Sequence, residues 1–165
     1  MKRIVIVLIL ALIVATGTVF ADHPNGLGIG IVGGWYGNWG GGGYGNYGLS
    51  LKVPVIPVFW GINLHIKDTY FSLGITGDKY LFDSTLVKSI NLGWYLGIGL
   101  WGGVTIFEKP SFSVGARAPI GLNWRPIDIL EIFLDVAPSV GISVINPFEF
   151  PVGGWPVELG IRFWL

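Results

Sequence analysis

The sequence predicts an all-β fold: an eight-stranded antiparallel up-and-down transmembrane β-barrel behind a cleavable signal peptide. Three observations predict it. Apolar and polar residues alternate with period two through most of the chain after residue 25. One face of each alternating segment is almost purely apolar, and the other holds nearly all the strand charges. Charge is also scarce, at 12% of 165 residues, where soluble domains carry about 25%.

Residues 1–21 read as an export signal. Lys2 and Arg3 give a positive start, Ile4 to Val14 is an unbroken apolar run, and Val19-Phe20-Ala21 precedes Asp22. These are the parts of a secretory signal peptide. The apolar run is short for a spanning helix, which needs about 20 residues. Cleavage is expected after Ala21, leaving 22–165 as the barrel domain. The chain has no cysteine. Lipid attachment through a cysteine, disulfides and Cys-type metal sites are therefore excluded.

Removing Lys2 and Arg3 leaves eight basic against ten acidic residues, a net charge of −2. That gives no electrostatic basis for a nucleic-acid partner. The remainder is rich in glycine (27 in the chain) and aromatics (15%), yet no later stretch is long and pure enough to span as a helix. An exported, apolar, charge-poor chain of this kind can pair all its backbone groups by closing a sheet on itself in a membrane.

The longest alternating segments are Pro57–Ile66, Asn91–Trp101, Phe112–Asn123 and Val157–Leu165. Val58, Trp60, Ile62, Leu64 and Ile66, for example, alternate with Phe59, Gly61, Asn63 and His65. Shorter matches are Gly26–Gly33, Tyr47–Val53, Thr69–Gly77 and Ile129–Ala137, which makes eight strands. Lys52, Arg117, Glu131, Asp135, Glu158 and Arg162 all fall on the less apolar face, where Gly, Ser and Asn dominate. As an outer surface this face is too poor in charge for a soluble protein. As a narrow interior it is well suited, so the greasy face is expected to meet lipid.

Connections are expected to alternate between long outer loops and tight inner turns. Gly34–Asn46, Gly102–Ser111 and Gly141–Pro156 read as long. Pro54–Ile56 and Arg125–Asp128 read as tight, and Lys67-Asp68 as a short outer turn. Asp78–Ser89 reads as a long inner connection, or as a further strand over Tyr80–Val87 in a ten-stranded alternative. Trp35, Tyr36 and Trp39 at one level, and Trp124, Phe163 and Trp164 at the other, suit interfacial aromatic girdles.

A tight turn centred between Pro126 and Ile127 sets Arg117 nearly opposite Asp135. Glu131 and Arg162 lie at the same inner end of their strands. The expected interior ion pairs are therefore Arg117–Asp135 and Arg162–Glu131. Eight strands leave room only for side chains, so the interior is expected to be plugged.

Gly115-Ala116-Arg117-Ala118-Pro119-Ile120-Gly121-Leu122-Asn123-Trp124, then Glu131-Ile132-Phe133-Leu134-Asp135-Val136-Ala137-Pro138, carry a family resemblance. So do Gly74-Ile75-Thr76-Gly77-Asp78-Lys79-Tyr80 and the ending Leu159-Gly160-Ile161-Arg162-Phe163-Trp164-Leu165. Over roughly its second half the chain resembles small outer-membrane barrels of spirochaete type. More loosely it is similar to the eight-stranded OmpX and OmpA group. The resemblance implies the fold and an outer-membrane location, with lipid and the barrel-insertion machinery as partners, and it implies no activity. One departure is the ending Trp164-Leu165, where insertion machinery usually reads a final Phe.

No enzyme chemistry is expected. Gly28-Ile29-Gly30-Ile31-Val32-Gly33 fits a dinucleotide fingerprint by spacing, but that chemistry needs a helix next, and Gly34–Tyr47 is too glycine-rich to form one. His23, in the segment leading into the first strand, and His65, near the outer rim with Asp68 and Ser72 close in sequence, lack an evident base and orienter. Far apart, they do not make a metal site. No cofactor is expected. The stretch from Trp35 to Tyr47 is the most distinctive. Trp35, Tyr36, Trp39, Tyr44 and Tyr47, interleaved with Gly and Asn, share the composition of antibody binding loops. They are the candidate surface-binding loop, for a host protein or glycan. The expected role is structural or adhesin-like; the alternatives are a narrow, porin-like pore or a soluble periplasmic lipid-binding barrel.

Overall fold

The computed structural model describes residues 23–67, 70–106, 110–144 and 148–165; the proposed signal at 1–21 lies outside them. The fold is all-β and antiparallel. Its strands are β1 (Gly28–Asn38), β2 (Gly43–Lys52), β3 (Phe59–Lys67), β4 (Tyr70–Val87), β5 (Leu92–Thr105), β6 (Ser111–Arg117), β7 (Ile120–Ile127), β8 (Leu130–Val136), β9 (Ser139–Ser143) and β10 (Glu149–Trp164). Among the described residues, a 3-10 turn at Lys88–Ile90 is the one helical element in this all-β order.

Among the described residues the sheet has ten strand segments where eight strands were expected, and prolines stand at two of the junctions between segments. Proline lacks the N–H that a ladder needs. Pro119 separates β6 from β7, and both pair with β5. Pro138 separates β8 from β9, and both pair with β10. The breaks stay hydrogen-bonded: the Ala118 N–H donates to Pro138 O at 3.0 Å and the Gly97 N–H to Pro119 O at 2.8 Å. β1 pairs with β2 on one side and with β10 on the other, from Gly28↔Trp164 to Asn38↔Gly154.

Several connections differ from expectation. Asp78–Ser89 is not a long connection or a separate strand: Asp78 to Val87 continue β4, and the turn is Lys88–Asn91. A bulge between Tyr80 and Phe82 shifts the alternation by one residue, so that Asp83 is buried like Asp78 and Tyr80. One inserted residue hides a strand from a period-two reading. Gly34–Asn46 is mostly strand, and the turn is Trp39–Gly42. Gly41 and Gly42 adopt φ of +88° and +77° there, which glycine does without steric penalty. Gly141–Pro156 shrinks to the link between Ser143 and Glu149. Pro156 resembles a turn signal, yet it lies within β10 opposite Tyr36, and its carbonyl accepts from the Ala137 N–H at 3.0 Å.

Burial is inverted relative to a soluble protein, in which large apolar side chains are inside and charges outside. Ile31 is 64% exposed and Leu100 70%, whereas Glu131 is 0% and Arg162 2% exposed. Lys52, Asp78, Asp83, Arg117, Asp135 and Glu158 are likewise buried. The buried aromatic residues form one cluster: Phe59, Tyr80, Tyr95, Phe133 and Trp164.

Candidate functional site: the inner face and its outer mouth

Alternation directs every second residue of each strand to the inner face, and the ladder register decides which of these meet. Near the tight-turn end, Arg162 and Glu131 are direct cross-strand partners on β10 and β8. The Arg162 Nη1 donates to both Glu131 carboxylate oxygens at 3.0 Å. The Trp164 indole N–H adds a third bond to Glu131 at 2.7 Å, and Arg162 Nη2 donates to Ser50 at 2.8 Å. The guanidinium lies between the rings of Phe59 and Phe133, 4.7 and 4.6 Å from their centroids. A desolvated cation over ring faces gains electrostatically. The structure brings these two predicted residues together.

It does not join Arg117 to Asp135. Arg117 bridges Asp78 (Nε to Oδ1, 3.3 Å) and Glu158 (Nη2 to Oε2, 3.2 Å). Asp135 instead accepts the Tyr95 hydroxyl at 2.8 Å. The cause is register. The β7–β8 hairpin turns at Asp128-Ile129, later than expected, and a bulge lies between Trp124 and Ile127. Asp135 then pairs with Gly121, and Arg117 pairs with Ser139. Gly121 is the residue that makes room: a Cβ there would lie 2.6 Å from the Tyr95 hydroxyl and 2.7 Å from Asp135 Cβ.

Sequence reasoning missed three participants. Asp78 and Asp83 fell in a segment read as a connection: Asp78 continues the parity of Ser72 and Thr76, and Asp83 is reached only across the bulge of β4. Asn46, at the end of the presumed loop, donates through its side-chain amide to Glu158. Its parity with Ser50 and Lys52 on β2 was a usable signal.

Toward the other end the inner face opens into a cavity of about 360 Å³, lined among others by Tyr36, Tyr44, His65, Trp101 and Ser139, with Arg117 and Glu158 at depth. The five candidate loop residues divide here. Tyr36 and Tyr44 are register partners. They stack on each other at 5.0 Å and meet the His65 ring edge-on. Trp35 and Tyr47 point to the outer face, 49% and 57% exposed. Trp39 sits on the turn, and its indole N–H donates to Ser139 O at 2.7 Å. The predicted loop is therefore a pinned hairpin with aromatics on both faces.

The fold can be placed by comparison. The N-terminal β-barrel domain of Pseudomonas aeruginosa OprF superposes with a TM-score of 0.55 at 12% identity, covering 82% of this chain and 96% of that one. Neisserial surface protein A gives 0.54 at 11% identity, covering 84% and 96%. No family model matches the sequence, and a search of curated proteins found no match. At such identities the likeness is one of fold: this chain has the fold of small outer-membrane β-barrels.

Proposed function

We propose that the chain is an integral outer-membrane protein, exported by the signal at 1–21 and closed as a barrel of eight staves, β6 with β7 and β8 with β9 each counting as one. The likeness to spirochaete-type barrels belongs to this reading. One observation carries it: large aliphatic and aromatic side chains are exposed around the sheet while eight charged side chains among the described residues are buried. Lipid is the solvent in which that arrangement is favourable. Membrane lipid and the barrel-insertion machinery are the partners it implies.

The role proposed is structural or surface-interacting, with no catalysis. The His65 ring packs on Tyr36 and Tyr44, an arrangement suited to holding the hairpin in place. The exposed Trp35, Trp39 and Tyr47 and the aromatic mouth cavity are what a host protein or glycan would meet. The side chains packed across the inner face favour a plug over a pore.

Membrane fractions of the expressing cell test the reading. The chain should need detergent for extraction and should change its gel mobility on boiling. A mature chain soluble in buffer alone would overturn it. Replacing Trp35, Trp39 and Tyr47 with Ser tests the surface role: binding of cells to glycan or host-protein arrays should fall, and unchanged binding would remove adhesion from the proposal.

A further inference from the structure

The inner face is completed at its tight-turn end by a residue that belongs to no strand. His23 precedes β1, and only 8% of it is exposed. Its ring Nδ1 lies 2.5 Å from Asp83 Oδ2, and Nε2 lies 2.9 Å from Glu131 Oε1. Its backbone N–H donates to the same Asp83 oxygen at 3.0 Å. The rings of Phe59, Tyr80, Tyr95 and Trp164 box it, with centroids at 5.2, 5.3, 5.7 and 6.1 Å.

This surrounding selects a cation. A neutral imidazole has one N–H and one lone pair, so one of the two carboxylates would face a lone pair. The imidazolium donates to both, and such charge-assisted bonds are the strong ones. Charge balance agrees. Asp83 of β4 and Glu131 of β8 stand against Arg162 of β10, and a protonated ring makes this group neutral; a neutral ring would leave a buried excess anion. The other groups facing the ring are Tyr80 of β4, Tyr95 of β5, the Asn123 amide of β7 at 3.3 Å, and Phe59 of β3, with Lys52 of β2 beyond it, 5.8 Å from the Phe59 ring. Aromatic walls around a cation are a known means of binding organic ammonium-type ligands.

We propose that the tight-turn end of the barrel contains a receptor for a protonated imidazole, filled in cis by His23, so that the segment ahead of β1 is a plug held by an internal ligand. The receptor goes beyond the membrane reading and needs it only to name the end as periplasmic. The site is tied to the chain by one short segment, which gives the ring a high effective concentration. A free imidazole should therefore replace it only when the side chain is gone.

The test uses the full chain refolded in detergent, with the thermal transition of the heat-shifted gel species as readout. His23→Gly should lower the transition. Millimolar imidazole in mildly acidic buffer should restore most of the loss, and neutral triazole, of the same shape, should not. The parent chain should respond to neither. An unchanged transition in His23→Gly, or no recovery with imidazole, or equal recovery with triazole, would overturn the receptor. If His23→Gly does not refold, imidazole added during refolding should recover the folded species, and its failure to do so also overturns the proposal. The parent chain's own heat shift reports separately on the barrel reading.

Discussion

Arg162 and Glu131 face each other in register on β10 and β8 and join through two hydrogen bonds of 3.0 Å, both side chains out of solvent. Glu131 also receives the Trp164 indole and the His23 ring. One carboxylate thus satisfies donors from two strand residues and the segment ahead of β1. Removing one member of a buried pair strands the other, at a cost of about 3–5 kcal/mol. Glu131→Gln should lose stability on that scale in urea unfolding from micelles, and more than Arg162→Met, whose apolar stem can still fill the space between Phe59 and Phe133. An unfolding midpoint unchanged by Glu131→Gln would contradict this account.

Arg117 should couple energetically to Glu158 and not to Asp135. Double-mutant cycles on Arg117→Met with Glu158→Gln, and on Arg117→Met with Asp135→Asn, separate the two. Pairs in one network typically show interaction energies of about 0.5–3 kcal/mol. The first cycle should fall in that range and clearly exceed the second; the reverse order would mean that the register described is wrong.

The inner glycine Gly121 is a packing requirement. Gly121→Val must displace Tyr95 and Asp135, and overpacking of this sort costs about 1–3 kcal/mol. Gly33→Ala, whose added Cβ would meet nothing nearer than Tyr47 at 3.8 Å, should be nearly neutral. Equal thermal transitions for the two variants would count against the crowding described.

Lipid contact is testable at one position. Ile31 lies between Leu49 and Ile161 on the apolar exterior. An Arg at the midplane of a lipid-facing surface costs about 2–4 kcal/mol. Ile31→Arg should therefore cut insertion into vesicles and lower stability there, while barely affecting a barrel whose exterior meets water. Normal folding into vesicles would argue against the membrane belt.

Stability should fall with rising pH through the titration of His23. Burial works against the charged ring, and Glu131 and Asp83 outweigh it, so its pKa is raised above the ordinary 6.5. A raised native value stabilises the fold fully below the unfolded value and loses that contribution as pH climbs through the native one. The thermal transition of the parent chain should decline as pH climbs above the ordinary 6.5, and that part of the decline should vanish in His23→Gln. An identical slope in both would exclude His23 as its source.

The sequence by itself determined the all-β class and, where alternation runs uninterrupted, which face of a strand is greasy. Alternation is a local property, readable wherever it runs uninterrupted, as it does through Leu159–Phe163. It also placed Arg162 and Glu131 at the same end, because a residue near a strand terminus needs little knowledge of register. What only the tertiary structure decided depends on two strands or on covering segments at once. The Tyr80/Phe82 bulge turned a supposed connection into strand and brought Asp83 inward. The turn at Asp128-Ile129 gave Arg117 to Glu158 and Asp78. The Trp39–Gly42 turn made a hairpin of the aromatic loop, dividing Tyr36 and Tyr44 from Trp35 and Tyr47. His23 has no periodicity around it. Its place follows from charge and shape in a cavity that exists only once β3, β4, β5, β8 and β10 have assembled.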